Sequence, residues 1–503
     1  MKIDAQTPPA GTLRDWLDHR AATTPDRPAF LFFDGGDPLT WAALRNRARQ
    51  LAQALTVQDL AKGTSVAILQ PNGRAAIESL FGVLYGGFRA TVINLVAGDE
   101  AIAYALDHCE APVALVGEAQ QDLFSRTRPD GQTAFAPRDG VGAELHPLRP
   151  EDDALLMYTS GTTGRPKGVI HSHASLLAGG WTPTIAHELS ASDCGLCVLP
   201  IYHINGLCVT VMSTLISGGT LAVAEKFSAS RFWDQCETAR ATWFSVVPTI
   251  ISHLLHSDIT PGEATRARLR LGRSASSALS PDVQTAFETR FDVPIIETMG
   301  LTETAAQILS NPLPPGVRKI GSPGRAYGNE ACILSPALTP LPPDTQGEIA
   351  VRGPNVMRGY FKNPEATRDT FGPDGWLRTG DLGHIDADGY VYVTGRLKEL
   401  IIKGGENIAP REIDEALYAH PDVVEAAAFA RPCKTYGERV EAAVRLCDGS
   451  PLTEADLIAL CHDRLGRFKS PDCIHLLDDL PKGPSGKIQR IKLPELCPEP
   501  VAS

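Results

Sequence analysis

The sequence predicts an α/β protein: a large N-terminal domain of mixed α/β subdomains carrying a small β-rich unit, then an α+β C-terminal domain. Three observations predict it. The chain has 503 residues, about three times the ~150-residue expectation for one domain. Short apolar runs alternate with helix-like segments through its first two thirds, the signature of strands separated by crossover helices. Beyond about residue 340 that alternation gives way to exposed-strand patterns and turn residues.

The elements follow in order. Val66-Ala67-Ile68-Leu69, Ala90-Thr91-Val92-Ile93 and Pro112-Val113-Ala114-Leu115 read as buried strands, with a helix over Arg74–Tyr85 between the first two. The same alternation returns between Leu196 and Val247. The uncharged run Cys194–Ala224 is long enough to span a membrane, but Pro200, His203, Asn205 and Gly218-Gly219 make it read as buried loop, helix and strand in succession. Ser280-Pro281-Asp282 starts a helix, with proline at the first helical position. Gly347–Arg352 and Gly389–Thr394 alternate like strands, with turns at Pro373-Asp374-Gly375 and Asp386-Ala387-Asp388-Gly389. After Gly395 comes the charged Arg396-Leu397-Lys398-Glu399, then helix, strand and helix, the last over Glu454–Leu465 with Thr453 and Asp456 at capping-box spacing. The boundary falls at 396–399, leaving an N-terminal domain at 1–395 and a C-terminal one at 400–503.

Composition excludes several classes. Apolar residues make up 43% and charged residues 21%, ordinary for a globular protein. A net charge of −12 argues against non-specific binding to nucleic acid or anionic membranes. No signal-peptide core opens the chain. Eleven cysteines without framework spacing point to reduced thiols and a cytoplasmic protein. Cys194-Gly195-Leu196-Cys197 lacks the second ligand pair that zinc needs.

The strongest local signal is Tyr158-Thr159-Ser160-Gly161-Thr162-Thr163-Gly164-Arg165-Pro166-Lys167-Gly168-Val169, directly after the apolar Ala154-Leu155-Leu156-Met157. Glycines let backbone N–H groups approach an anion, hydroxyls donate further bonds, and Lys167 adds charge. The spacing is not that of the GxxxxGK[ST] phosphate loop.

This run resembles the phosphate-binding signature of the adenylate-forming enzymes, the superfamily of acyl-CoA synthetases, peptide-synthetase adenylation domains and firefly luciferase. Further signatures follow in that family's order: Pro200-Ile201-Tyr202-His203-Ile204-Asn205-Gly206, Thr298-Met299-Gly300-Leu301-Thr302-Glu303, Trp376-Leu377-Arg378-Thr379-Gly380-Asp381, Gly395-Arg396-Leu397-Lys398-Glu399 and Pro484-Ser485-Gly486-Lys487. The resemblance implies an ATP-dependent acid–CoA ligase whose carboxylic acid first becomes an acyl-adenylate. It assigns ATP contacts to Thr159, Ser160, Gly161, Thr162, Thr163, Gly164, Lys167, Thr298 and Thr302, and the ribose to Asp381 and Arg396. Glu303 would hold Mg²⁺, which keeps waters and phosphates alongside one or two carboxylates. Lys487 would bridge the acyl carboxylate and the α-phosphate, His203 would border the acyl pocket, and Lys398 would be the hinge about which a mobile C-terminal domain swings. Gly404 and Gly405 would then border the pantetheine arm of CoA. No nucleophilic Ser or Cys is implied.

Within the superfamily, Ser310–Lys319, Arg273-Ser274-Ala275-Ser276 and Arg352-Gly353-Pro354-Asn355-Val356 resemble oxalate–CoA ligases. Asn205 and Ala306 stand where those ligases carry histidines, and Met299 replaces the family's adenine-side tyrosine. A small acid with a different anionic end, such as sulfoacetate, suits a pocket of Arg273, Ser276, His203, Asn205 and Ala306, since a sulfonate accepts from Asn, Ser and Arg. Aromatic or medium-chain acids are the alternative. Only 16 residues follow Lys487, which favours free CoA over a fused carrier; a stand-alone ligase for a separate carrier protein remains open. A homodimer is compatible with the sequence, as is a nucleotide-dependent switch releasing ADP instead of AMP.

Overall fold

The computed structural model describes residues 3–136, 140–159, 166–483 and 486–497. Four sheets organise the chain. A seven-stranded sheet runs in the order Gly359–Tyr360, Gly168–Ser172, Asp153–Tyr158, Arg89–Val92, Ser65–Leu69, Val113–Val116 and Thr133–Ala134. Its pairings from Asp153–Tyr158 onward are parallel, as the alternation of apolar runs and helices predicts, and its first two are antiparallel. A nine-stranded sheet is parallel from Ile295–Leu301 through Leu271–Ser274, Trp243–Val246, Cys194–Cys197 and Thr220–Val223 to Pro28–Phe32. The largest apolar cluster draws on both sheets and on the helices Trp41–Thr56, Arg74–Gly86 and His173–Ala186, with Trp41, Trp181, Phe30 and Phe81 at its centre. Gly82 permits the close helix contact there, since a Cβ would lie 2.5 Å from Leu51.

The β-rich unit is a four-stranded antiparallel meander of Glu330–Leu334, Gly347–Arg352, Leu377–Ile385 and Val391–Arg396. The last sheet combines a short hairpin, Ile401–Lys403 and Glu406–Ile408, with the long antiparallel pair Val423–Cys433 and Gly437–Leu446 and the strand Cys473–Leu476. Helices Pro410–Tyr418 and Glu454–Lys469 accompany it.

Several expectations need correction. The run from Cys194 opens with a strand before its loop, and the stretch Asn205–Met212 is π-helical. The region after Gly395 opens with two three-residue strands, not a helix; strands so short present no period to read, and the positive φ of Gly404 and Gly405 makes their turn. The helix at Pro281–Phe291 has Ser280 as N-cap, but the serine side chain makes no capping bond. The capping box of Thr453 and Asp456 is present, and its helix runs as expected to Leu465, breaking at Gly466 (φ 73°, ψ 164°) before a last turn that ends at Lys469. All eleven cysteines are free thiols, those of the Cys194–Cys197 pair included. No helix among the described residues is long and apolar enough to cross a membrane.

Candidate active site

In open parallel sheets, ligands gather beyond the carboxyl ends of the strands, and a polar cleft opens at that place on the nine-stranded sheet. Ser245 and Arg273 are register partners on adjacent strands, so their side chains share one face near those ends. Asn205 reaches the same point from the first turn of the π-helix, a form that recurs at functional sites. Ser276 follows in the loop after Leu271–Ser274 with φ of 76°, and Ala306 beyond Glu303 has φ of 80°. Non-glycine residues in the left-handed region are strained, and such strain clusters at binding sites.

These residues form one polarised network. Arg273 is 1% exposed and donates from Nη1 to Asn205 Oδ1 (2.7 Å) and Ser245 Oγ (3.2 Å), and from Nε to Gln307 Oε1 (3.1 Å). A guanidinium only donates, so both amides must present oxygen to it. Asn205 Nδ2 therefore points away and donates to Ser276 Oγ at 3.2 Å, which leaves the Ser276 hydroxyl proton free for another acceptor. No carboxylate pairs with Arg273 among the described residues, and burial alone pulls its pKa down to about 9. Half-buried His203 lines the same cleft; its Nε2 has no hydrogen-bond partner among the described residues, and desolvation lowers its pKa to about 4, so the ring is neutral.

The cleft is double. One compartment is lined by His203, Asn205, Arg273, Thr302, Glu303 and Ala306, the other by Thr298, Asp381 and the segment Ser277–Ser280. They meet at Ser276, Gly300, Leu301, Arg396, Glu399 and Lys487. Asp381 and Arg396 are cross-strand partners in the meander, joined Oδ1 to Nε at 2.7 Å. Burial raises the Asp381 pKa against the opposing pull of Arg396 and Lys487. Lys487 lies 3.8 Å from Glu399. Desolvation, then the Arg396 charge, lowers the Lys487 pKa to about 8, so the ammonium is still charged at neutral pH. Glu399 also faces Arg490 at 3.6 Å, and Arg490 is clamped by the buried Asp414.

Glu303 sits in the turn after Ile295–Leu301, where its Oε1 accepts from the Tyr360 hydroxyl at 2.8 Å. Thr159 and Lys167 line the cleft, with Thr159 N–H donating to the Lys167 carbonyl (2.9 Å) and Lys167 Nζ 4.6 Å from the centre of the Tyr360 ring. Ser160, Gly161, Thr162, Thr163 and Gly164 lie outside the described residues. Lys398 lines the cleft beside Glu399. Gly404 and Gly405 do not line it: they turn the hairpin beside Tyr436, whose carbonyl accepts from Gly404 N–H at 2.8 Å. Sequence reasoning missed Tyr360, Ser245, Gln307 and Arg490. Of the charged groups that gather around Lys487, Arg396, Glu399 and Asp381 lay inside quoted motifs, and Arg490 did not.

The AMP-binding enzyme model matches residues 17–361, and the model of its C-terminal domain matches 412–487. The chain belongs to the AMP-binding enzyme family. Among its relatives in that family, a sulfoacetate–CoA ligase of Cupriavidus necator is 44% identical over 98% of this chain and 99% of its own. An oxalate–CoA ligase of Arabidopsis thaliana is 36% identical, covering 95% and 97%. The o-succinylbenzoate CoA synthetase MenE of Bacillus subtilis, solved with ATP and a magnesium ion, superposes with a TM-score of 0.84 at 28% identity, covering 95% of this chain and 99% of that one. The family and the mixed α/β architecture expected from the sequence are those found.

Proposed function

We propose that this AMP-forming acid–CoA ligase activates a small carboxylic acid bearing a second, fully ionised group, with sulfoacetate the best fit. The observation that carries the reading is Arg273: a buried cation with no carboxylate partner among the described residues, held by two amides whose oxygens already face it. An anion is the partner that such a charge lacks. The donors left facing the cleft, the Ser276 hydroxyl and the guanidinium, suit the three oxygens of a sulfonate. The 44% identity to a sulfoacetate–CoA ligase supports the same choice.

With the sulfonate held at Arg273, the acid's carboxylate is directed toward the junction of the two compartments. There Lys487 offsets the repulsion between carboxylate and α-phosphate as an acid oxygen attacks phosphorus and pyrophosphate leaves. Asp381 accepts from the ribose hydroxyls, and Arg396 orients Asp381. Glu303 is a lone carboxylate with one oxygen engaged by Tyr360, a donor set that fits Mg²⁺ when substrate oxygens and waters complete its shell; the ion supplies charge neutralisation at the phosphates. In the second half-reaction the CoA thiol attacks the acyl carbonyl, its proton passes to solvent, and AMP departs. Gly404 and Gly405 border the thiol only after the unit at 400–503 turns about Lys398, consistent with their position outside the cleft.

The test is release of AMP and pyrophosphate with Mg-ATP and CoA across sulfoacetate, oxalate, malonate, a cinnamate and short to medium fatty acids, with thioesters identified by mass. We expect sulfoacetyl-CoA. Turnover confined to aromatic or fatty acids defeats the substrate reading, and pyrophosphate exchange without any thioester points to a carrier-protein acceptor.

A further inference from the structure

We propose that Gln307 and His187, neither of which lines the cleft, are positioning residues that set the preference for a second anionic group by fixing the edge of Arg273 without cancelling its charge. The inference rests on the substrate reading above.

The argument is one of donors and acceptors. Gln307 Oε1 lies 3.1 Å from Arg273 Nε and 3.1 Å from His187 Nε2. Arginine cannot accept, so the amide atom between them is oxygen, and His187 must then donate from Nε2. That tautomer leaves His187 Nδ1 as a buried lone pair, and Gln307 Nε2 as a buried donor; both lack partners among the described residues. Buried polar atoms are seldom left this way. An amide free to rotate would pair its nitrogen elsewhere, so the orphaned atoms show that the needs of Arg273 dictate its orientation. Burial and the nearby Arg273 charge hold the His187 pKa down at about 3, so the ring stays neutral.

The base of Gln307 is equally fixed. Its main-chain carbonyl accepts from Thr182 Oγ1 at 3.2 Å and Asn355 Nδ2 at 3.1 Å. His187 caps the C-terminus of the helix His173–Ala186, the helix that carries Thr182. One helix therefore holds Gln307 at both its backbone and its side chain. The choice of a neutral acceptor matters. A glutamate here would hold the guanidinium equally well but would pair with its charge, leaving little for a substrate sulfonate.

The experiment compares kcat and KM for sulfoacetate and propionate in the full-length wild type, Gln307→Glu, Gln307→Leu and His187→Phe, with Mg-ATP and CoA. Propionate presents the same reacting carboxylate without the second anion. For Gln307→Glu we expect KM for sulfoacetate to rise tenfold or more relative to KM for propionate, with kcat changing less. Gln307→Leu and His187→Phe should move the ratio the same way, by a few-fold, and serve if the glutamate variant does not fold. An equal loss for both acids, or a change in kcat alone, overturns the positioning role while leaving the substrate reading in place. A wild type indifferent to sulfoacetate but active on propionate overturns both.

Discussion

Lys487 keeps its charge at neutral pH by a margin of about one pH unit, and its chemistry inherits that margin. Because its pKa is lowered to about 8, the ammonium is present below that value and lost above it. Adenylation, followed as pyrophosphate release at saturating ATP, should therefore fall as pH rises through about 8. Thioester formation from supplied acyl-AMP should not follow that titration, and a shared profile would contradict the role given to Lys487. Lys487→Ala should abolish acyl-AMP formation yet largely spare thioester formation from the supplied adenylate. Arg273→Met should raise KM for sulfoacetate about a hundredfold, since removing one partner of a desolvated charge pair costs about 2–5 kcal/mol; an unchanged KM would leave the anion anchor without support. At this scale the sequence was legible where chemistry concentrates in a short run: Lys487, Glu303 and Asp381 all lie within quoted motifs. Arg273 was legible as a cation, but its want of a carboxylate was not. Gln307 and His187 were invisible, because their roles arise from strand register and helix placement across 34 and 120 residues of chain.

Elements transmit these demands. The helix His173–Ala186 packs so closely on the turn after Glu303 that a Cβ on Gly179 would lie 2.5 Å from both Cβ and O of Ala305. Gly179→Ala should cost about 1–3 kcal/mol through overpacking and displace the strained Ala305-Ala306 turn. Thermal unfolding and pyrophosphate release should both report it, and a variant unaltered in either would show that the turn yields freely. The helix Pro248–Leu255 docks against Val423–Cys433 of the last sheet: Ser252 donates to the Val424 carbonyl, His253 meets Glu425 at 3.0 Å, and Thr249 donates to the Gly486 carbonyl at 3.1 Å, one residue from Lys487. His253→Ala removes about 1 kcal/mol of such docking, so adenylation should slow about fivefold while thioester formation from supplied acyl-AMP does not. The helices were legible from their periods, and several parallel strands as short apolar runs between them. The strand Cys194–Cys197 was not, since it lies inside the long uncharged run Cys194–Ala224 with no charge to mark its end, and the three-residue strands of the hairpin at 401–408 make no pattern.

The whole molecule must serve two half-reactions with one cleft. In the arrangement described, Lys487 faces the cleft while Gly404 and Gly405 do not. On the reading proposed above, a chain locked this way forms acyl-AMP and stops. Lys398→Pro fixes φ near −65° and removes a backbone donor, so acyl-AMP should accumulate at a near-normal rate while CoA-dependent turnover falls at least tenfold. Full turnover in that variant would move the pivot elsewhere. Arg273 adds a consequence for the empty protein. Burying a cation that has no carboxylate partner among the described residues costs free energy in the unliganded protein, and on the substrate reading proposed above a bound anion offsets that cost. Ligand that binds only the folded state stabilises it by about 2.7 kcal/mol at a hundred times its Kd. Sulfoacetate alone, without ATP, should thus protect the protein against heat and proteolysis, making resistance to degradation a gauge of substrate supply.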